Sequence, residues 1–352
     1  MNQDMETGNP RARDTSRRSV LAGLAAGAAA LATSPRAQAA QWTTNLGYPD
    51  PRIKILDPAF AGLRQGLAGV EQLATGFRFT EGPVWFGAHQ TLVFSDLPGN
   101  RLMRWDDINR TVSVFRSPSN HTNGNCQDRE GRLISCEQLT RRVVRTEHDG
   151  SITVIADKFE GKRLNSPNDV VVKSDGSIWF TDPPNGITND YEGRRADQEQ
   201  AGTNVFRVDP KSGQISIVTA ETRPNGLCFS PDESKFYVVD SSLNPRGIAV
   251  FDVVADGTKL ANKRPFIQPP TSTADGIKCD WQGNIWCSWG AGEGESGVRA
   301  FSPEGKPALQ IELPERAANL YFGGPVGNRL FMTAQQSLYA VFVATRGAKL
   351  TN

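Results

Sequence analysis

From Val70 onward the chain is written in short apolar runs broken by polar turns, and one arrangement of the two keeps returning. Its clearest copy lies between Arg163 and Pro183. Asn168 and Asp169 stand directly before three β-branched residues, Val170 to Val172, which predict a short buried strand. Ser174-Asp175-Gly176 predicts a tight hairpin turn, and Ile178 to Thr181 a return strand running up to Asp182. The same order of polar residue, inner strand, turn and return strand opens at Glu81, Asn123, Asn168, Asn225, Asp275 and Asn319. The openings recur at roughly 40 to 60 residues, a repeat length typical of stacked β units. Two more strand-like runs generally close the unit, as in NVFRVDPKSGQISIVTA after Thr203. Four short strands per repeat predict an all-β fold, a six-bladed β-propeller. The sixth repeat runs out of chain soon after Asn319, so a strand at Val70 to Ala74 is expected to pair there and close the last blade, leaving no open sheet edge.

The N-terminal stretch follows a different pattern. Ser16-Arg17-Arg18-Ser19-Val20-Leu21 leads into an apolar run, then Pro35 and Ala37-Gln38-Ala39. Paired arginines, a short apolar segment and a small-x-small site predict a twin-arginine signal peptide over residues 1–39, cleaved after Ala39. The apolar run is about 14 residues, short of the roughly 20 that span a bilayer. The expected mature protein is periplasmic, handled by the Tat export machinery and not stably inserted in the membrane. Residues 40–68, rich in Pro, Gly and Ala, read as an extended lead-in with one short helical turn, and residues 69–352 as the propeller domain.

Composition narrows the chemistry. A net charge of +1 over 352 residues provides no basic face for nucleic acid. The 34 glycines and 22 prolines suit a fold made of tight turns. Three histidines (His89, His121 and His148) form no ligand-spaced pair, which argues against a histidine zinc site. Cys126 and Cys136 fall on one hairpin, as do Cys279 and Cys287, a spacing open to one disulfide. Twin-arginine substrates cross the membrane folded, however, and small buried thiols are the reading preferred for all five cysteines, Cys228 included.

The phase of the repeat points to a site. The first strand of each propeller blade lines the central channel, so the six opening residues are expected to converge in a ring near the axis. They offer carboxylate and amide oxygens and no imidazole or thiolate, a donor set suited to a hard cation, Ca²⁺ more than Mg²⁺. Return strands run back to the same mouth, which places Asp96, Glu137, Asp182 and Asp240 on its rim. The long segment from Pro183 to about Thr203 is expected there as a lid.

Thr80-Glu81-Gly82-Pro83, Arg163-Leu164-Asn165-Ser166-Pro167-Asn168-Asp169, Pro224-Asn225-Gly226-Leu227 and Ala274-Asp275-Gly276, in this order and at blade spacing, resemble the SMP-30/gluconolactonase-like calcium-dependent hydrolases. The resemblance runs from about Gly69 to the C-terminus and is to the bacterial gluconolactonase branch. It implies Glu81, Asn168, Asn225 and Asp275 as ligands of Ca²⁺ or another divalent cation, and Asp275 as general acid/base. It also implies Arg163 as a substrate contact, and Asn123 and Glu137 resemble residues of bacterial gluconolactonases, here taken as substrate-binding. The implied activity is opening of a sugar lactone, with the cation as Lewis acid and Asp275 moving the proton. No G-x-S-x-G elbow is present for a serine mechanism. Two alternatives stand beside it: a phosphotriesterase or fluorophosphatase acting at the same site, and a non-catalytic periplasmic sugar-binding propeller with a structural ion.

Overall fold

The computed structural model describes residues 42–43, 47–290 and 295–348. The chain separates into two units, Met1–Thr43 and Thr44–Asn352. The signal-peptide motif and its cleavage position lie outside the described residues. The second unit is a ring of six antiparallel sheets, four built from consecutive strands and the last two each completed by a strand from the N-terminal side, which is the six-bladed propeller the repeat predicts.

The burial gradient across each blade explains the sequence pattern. The second strands, Thr91–Asp96, Leu133–Glu137, Ile178–Asp182, Lys235–Asp240, Ile285–Trp289 and Arg329–Ala334, are almost wholly buried. Neighbouring blades cover both of their faces, so they read as continuous apolar runs rather than alternating ones. The outermost strands of the first two blades, Thr111–Arg116 and Ile152–Ala156, are mostly exposed and mix polar with apolar residues. Aromatic contacts bridge blades: Trp179 of blade three meets Phe229 and Phe236 of blade four, and Trp85 of blade one stacks on Phe331 of blade six. All five cysteines are free and buried in these seams. Burial raises each thiol above its ordinary value, so they serve as small apolar side chains.

Ring closure occurs where the sequence places it, one residue later. Glu71–Thr75 forms the outer strand of blade six against Ser337–Phe342, with Glu71 opposite Ala340 and Thr75 opposite Ser337. Gln72 Nε2 donates to Ser337 Oγ and Tyr339 Oη, fixing that register. The lead-in is more structured than its composition suggests. Ile53–Ile55 adds a fifth strand to blade five, against Pro307–Glu312, and Pro58–Leu63 follows as a 3₁₀ turn capped by Asp57. Asp50, fully buried, accepts hydrogen bonds from the backbone and guanidinium of Arg52 and from Val70 N, tying this segment to the start of the ring.

Candidate active site

The ring residues are aimed at the axis by irregularities in the innermost strands. Register breaks between Glu81 and Val84, Thr122 and Asn125, Pro224 and Leu227, Ala274 and Ile277, and Ala317 and Asn319. Each break is a bulge, which leaves residues unpaired and re-aims their side chains. In blade three the regular strand begins only at Val170, but Asn168 N and Asp169 O still pair with Thr181. Glu81, Asn123, Asn168, Asn225, Asp275 and Asn319 are each 3–7% exposed, buried yet open to a common mouth.

Glycines bring these strands together. A Cβ on Gly82 would lie 2.1 Å from Asn123 O, one on Gly124 2.5 Å from Asn168 O, and one on Gly226 2.4 Å from Asp275 O. Gly276 meets Asn319 in the same way, at 2.3 Å. The glycine that follows a ring residue in blades one, two, four and five therefore lets the next blade's ring residue approach to a distance that any side chain would block. Hydroxyls lock the junctions, with Ser95 Oγ donating to Asn123 O and Ser288 Oγ to Ala318 O.

The side chains interlock across blades. Asn319 Nδ2 donates to Glu81 Oε2 at 3.0 Å, and Asn225 Nδ2 to Asp275 Oδ1 at 2.7 Å. The two asparagines differ at their other end. Asn319 Oδ1 accepts Leu320 N, so both ends of its amide are used in holding Glu81. Asn225 Oδ1 has no hydrogen-bond donor among the described residues. The Glu81 carboxyl is raised well above its ordinary value by burial and then by repulsion from Asp275 and Asp169. Asp169 Oδ2 is buried without a hydrogen bond, its closest cation being Lys278 Nζ at 3.7 Å.

Among the described residues no three His, Cys, Asp or Glu side chains gather as a metal cluster, so amide oxygens would have to complete an ion site. The donor set fits a hard cation on two grounds. It is all oxygen, and it concentrates carboxylates that repel one another in a place with little water. Glu81, Asn168, Asn225 and Asp275 are the residues that would hold such an ion.

The residues expected to contact substrate are distributed differently. Asn123 belongs to the ring. Glu137 is buried and committed to Arg142 at 2.7 Å, Arg116 at 3.5 Å and the Thr140 hydroxyl. Arg163 is exposed at the end of a small hairpin, Lys158–Phe159 with Lys162–Arg163, and its guanidinium donates to Thr140 O. Two arginines that the sequence reading missed flank Asp275 instead: Arg316 Nη2 at 2.5 Å from Oδ2, and Arg246 Nη1 at 3.3 Å from Oδ1. The available signal was position. Arg316 immediately precedes the first strand of blade six and Arg246 the third strand of blade four, both at ends that reach this mouth.

The rim acids hold loops. Asp96 accepts Arg78 N and pairs with Arg101, and Asp240 accepts Arg223 N and the Ser242 hydroxyl. Asp182 accepts Asn165 N, and burial pushes its carboxyl up to about 7. The long blade-three segment folds over this face. Gly186 and Ile187 are buried, Arg194 N and Ala196 N bond back to Gly186 O and Ile187 O, and Glu192 comes close enough to Asp275 to be raised by burial and then by its charge.

Residues 79–336 match the family described as SMP-30/Gluconolactonase/LRE-like region. A gluconolactonase of Zymomonas mobilis is 30% identical over 97% of this chain and 100% of its own length. The solved structure of a gluconolactonase from Xanthomonas campestris superposes with a TM-score of 0.77 at 34% identity, covering 86% of this chain and 98% of that one. A diisopropyl-fluorophosphatase of Loligo vulgaris is 23% identical over 81% of this chain and 91% of its own.

Proposed function

The chain belongs to the SMP-30/gluconolactonase/LRE-like family, and from that premise we propose that it is a lactonase that opens sugar lactones to the corresponding hydroxy acids. The observation that carries the reading is the buried carboxylate and amide set around Asp275, at the mouth of a propeller similar over its whole length to a gluconolactonase. A divalent cation held by Glu81, Asn168, Asn225 and Asp275 would supply a Lewis acid, with Ca²⁺ best suited to such donors.

The chain's own residues do the rest. Asp275 takes a proton from the attacking water as the carbon–oxygen bond to the lactone carbonyl forms. It returns that proton to the ring oxygen as the ester bond breaks. Asn225, Arg246 and Arg316 each hold one of its oxygens, so its orientation is set before substrate arrives. Asn319 holds Glu81 in place from the neighbouring blade. The blade-three segment, with Glu192, borders the same mouth and would limit water access. Export completes the proposal: Arg17-Arg18 and Ala37-Gln38-Ala39 support Tat export and periplasmic residence, which N-terminal sequencing of the mature protein checks.

The test is hydrolysis of glucono-δ-lactone by the wild type, by protein stripped with EDTA, and by Asp275→Asn and Glu81→Gln. Activity is expected to fall at least 100-fold in each arm and to return when Ca²⁺ is added to the stripped protein. Full activity after stripping, or in either variant, would sink the mechanism. Diisopropyl fluorophosphate in the same panel separates the phosphotriesterase alternative, which the similarity to the squid enzyme keeps in view. Ligand-induced thermal stabilisation without turnover would instead favour a sugar-binding propeller.

A further inference from the structure

We infer that Arg246 and Arg316 form a substrate-recognition pair, spending one donor each on Asp275 and presenting the others to the oxygens of a polyhydroxylated lactone. This rests on the lactonase reading and adds to it the residues that would select the substrate.

The geometry points to recognition rather than to a structural ion pair. A guanidinium carries five N–H donors. Among the described residues, each of these arginines makes one hydrogen bond to the protein, Arg246 Nη1 to Asp275 Oδ1 and Arg316 Nη2 to Asp275 Oδ2. Their side chains remain 33% and 32% exposed while Asp275 is 8% exposed, so both guanidiniums keep part of their surface open beside a buried carboxylate. Contrast Arg141, 4% exposed, whose donors go to Leu164 O, Asn165 O and Glu199. The pair is also anchored at the backbone: Arg246 O accepts Ala274 N at the start of the strand that carries Asp275, and Arg316 directly precedes the strand that carries Asn319. The two guanidiniums therefore reach Asp275 from the blades on either side of it.

Glu192 supplies the complement. It is half-buried on the blade-three segment, and burial, then the charge of Asp275, raise its carboxyl while Arg246 opposes the shift. The corner thus holds two forked donors beside the Asp275 carboxylate. Adjacent hydroxyl groups need that combination, because each donates and accepts at once. An unsubstituted lactone would leave these charged groups unpaired. A site built to hydrogen-bond a hydroxyl discriminates strongly against an analogue lacking it.

The experiment compares glucono-δ-lactone with δ-valerolactone, which has the same six-membered ring and no hydroxyls, on full-length calcium-loaded protein. Arg246→Gln and Arg316→Gln are expected to lower the ratio of the two kcat/KM values by about 10- to 100-fold, as expected for losing a charged hydrogen bond. Any kcat loss from a less firmly held Asp275 should be shared by both substrates, and the additional loss on the hydroxylated one should appear as raised KM. An equal loss on both substrates would mean that the arginines serve Asp275 alone and would overturn the inference, as would an unchanged ratio. Should the Gln variants melt far below wild type, Arg246→Lys and Arg316→Lys carry the same test. They keep the charge but lose the planar fork, so the ratio should still fall. A wild type that opens neither lactone would remove the lactonase reading and this pair with it, whereas a wild type that opens both isolates the fate of the arginines.

Discussion

Gly226→Ala probes the link between blade packing and chemistry. The added methyl would sit 2.4 Å from Asp275 O, 2.8 Å from Gly276 Cα and 3.1 Å from Ile277 N, against an ordinary contact distance of 3.4 Å or more. All three atoms are backbone, so no side chain can swing away, and relief requires blades four and five to part by about 1 Å. A displacement of that size at a reacting group costs about 100-fold in rate, or about 2.7 kcal/mol of barrier. Overpacking of a tight seam costs about 1–3 kcal/mol of stability, a smaller effect on function at room temperature. The expected result is a folded protein, its melting point lowered by no more than about 10 °C, with kcat/KM for glucono-δ-lactone down about 100-fold. Gly62→Ala is the control, since nothing lies within 4 Å of its Cβ and activity should be unchanged. Wild-type activity in Gly226→Ala would refute the claim that glycine-mediated approach of the blades positions Asp275.

Three further outcomes are expected. Because burial, then Asp275 and Asp169, raise the Glu81 carboxyl above its ordinary value, the fold favours its protonated form. A cation favours the ionised form, so divalent-cation uptake should release protons and tighten as pH rises. Calorimetry in two buffers of different ionisation enthalpy reads this, and affinity independent of pH between 6 and 8 would contradict it. Asp182 sits at about 7 in the fold, above its ordinary value, so its contribution is fully present below pH about 4 and is lost as pH rises through 7. Asp182→Asn should therefore melt several degrees higher than wild type at pH 8 and much like it at pH 4, with the reverse order counting against the buried-acid account. Asp280, fully buried, accepts from Gln282 N, Asn284 N and Nδ2, Trp286 Nε1 and Thr345 Oγ1. Asp280→Ala strands these donors and should cost about 3–5 kcal/mol in denaturant unfolding, with a loss under about 1 kcal/mol showing that water replaces the carboxylate.

Repetition made the fold legible. Six polar residues at one phase were visible because each opens a copy of the same strand–turn–strand unit, and the incomplete sixth copy announced a closing strand. Ile53–Ile55 escaped notice because a single Ile-Lys-Ile alternation between Pro51 and Pro58 is too short to announce a strand, and its pairing partner lies more than 250 residues away. Phase could also not separate Asn319 from Asn225, since the difference lies in one hydrogen bond from Leu320 N. Arg163 was singled out by the resemblance, as the arginine shortly before Asn168. The hairpin that carries it directs it to Thr140, while Arg246 and Arg316, 29 and 41 residues from Asp275, reach that carboxylate through space. Long-range side-chain contacts of this kind leave no periodic trace, unlike the in-phase glycines that let neighbouring blades approach.

The strand that closes the ring also sets an order of events during synthesis. Glu71–Thr75 is made before its blade, yet its partner Ser337–Phe342 appears only after the first five blades, with Gln72 bonding residues 265 and 267 positions downstream. No nascent chain short of that point can complete the circle. The first five blades must wait as an open arc whose terminal blade has an uncovered face and an unpaired edge. Bringing ends so distant together is entropically costly, and topologies dominated by such pairings fold slowly. A ribosome-bound intermediate is thus exposed until Ser337–Phe342 has been made, and loss of that strand would leave every earlier blade in an unsealed ring.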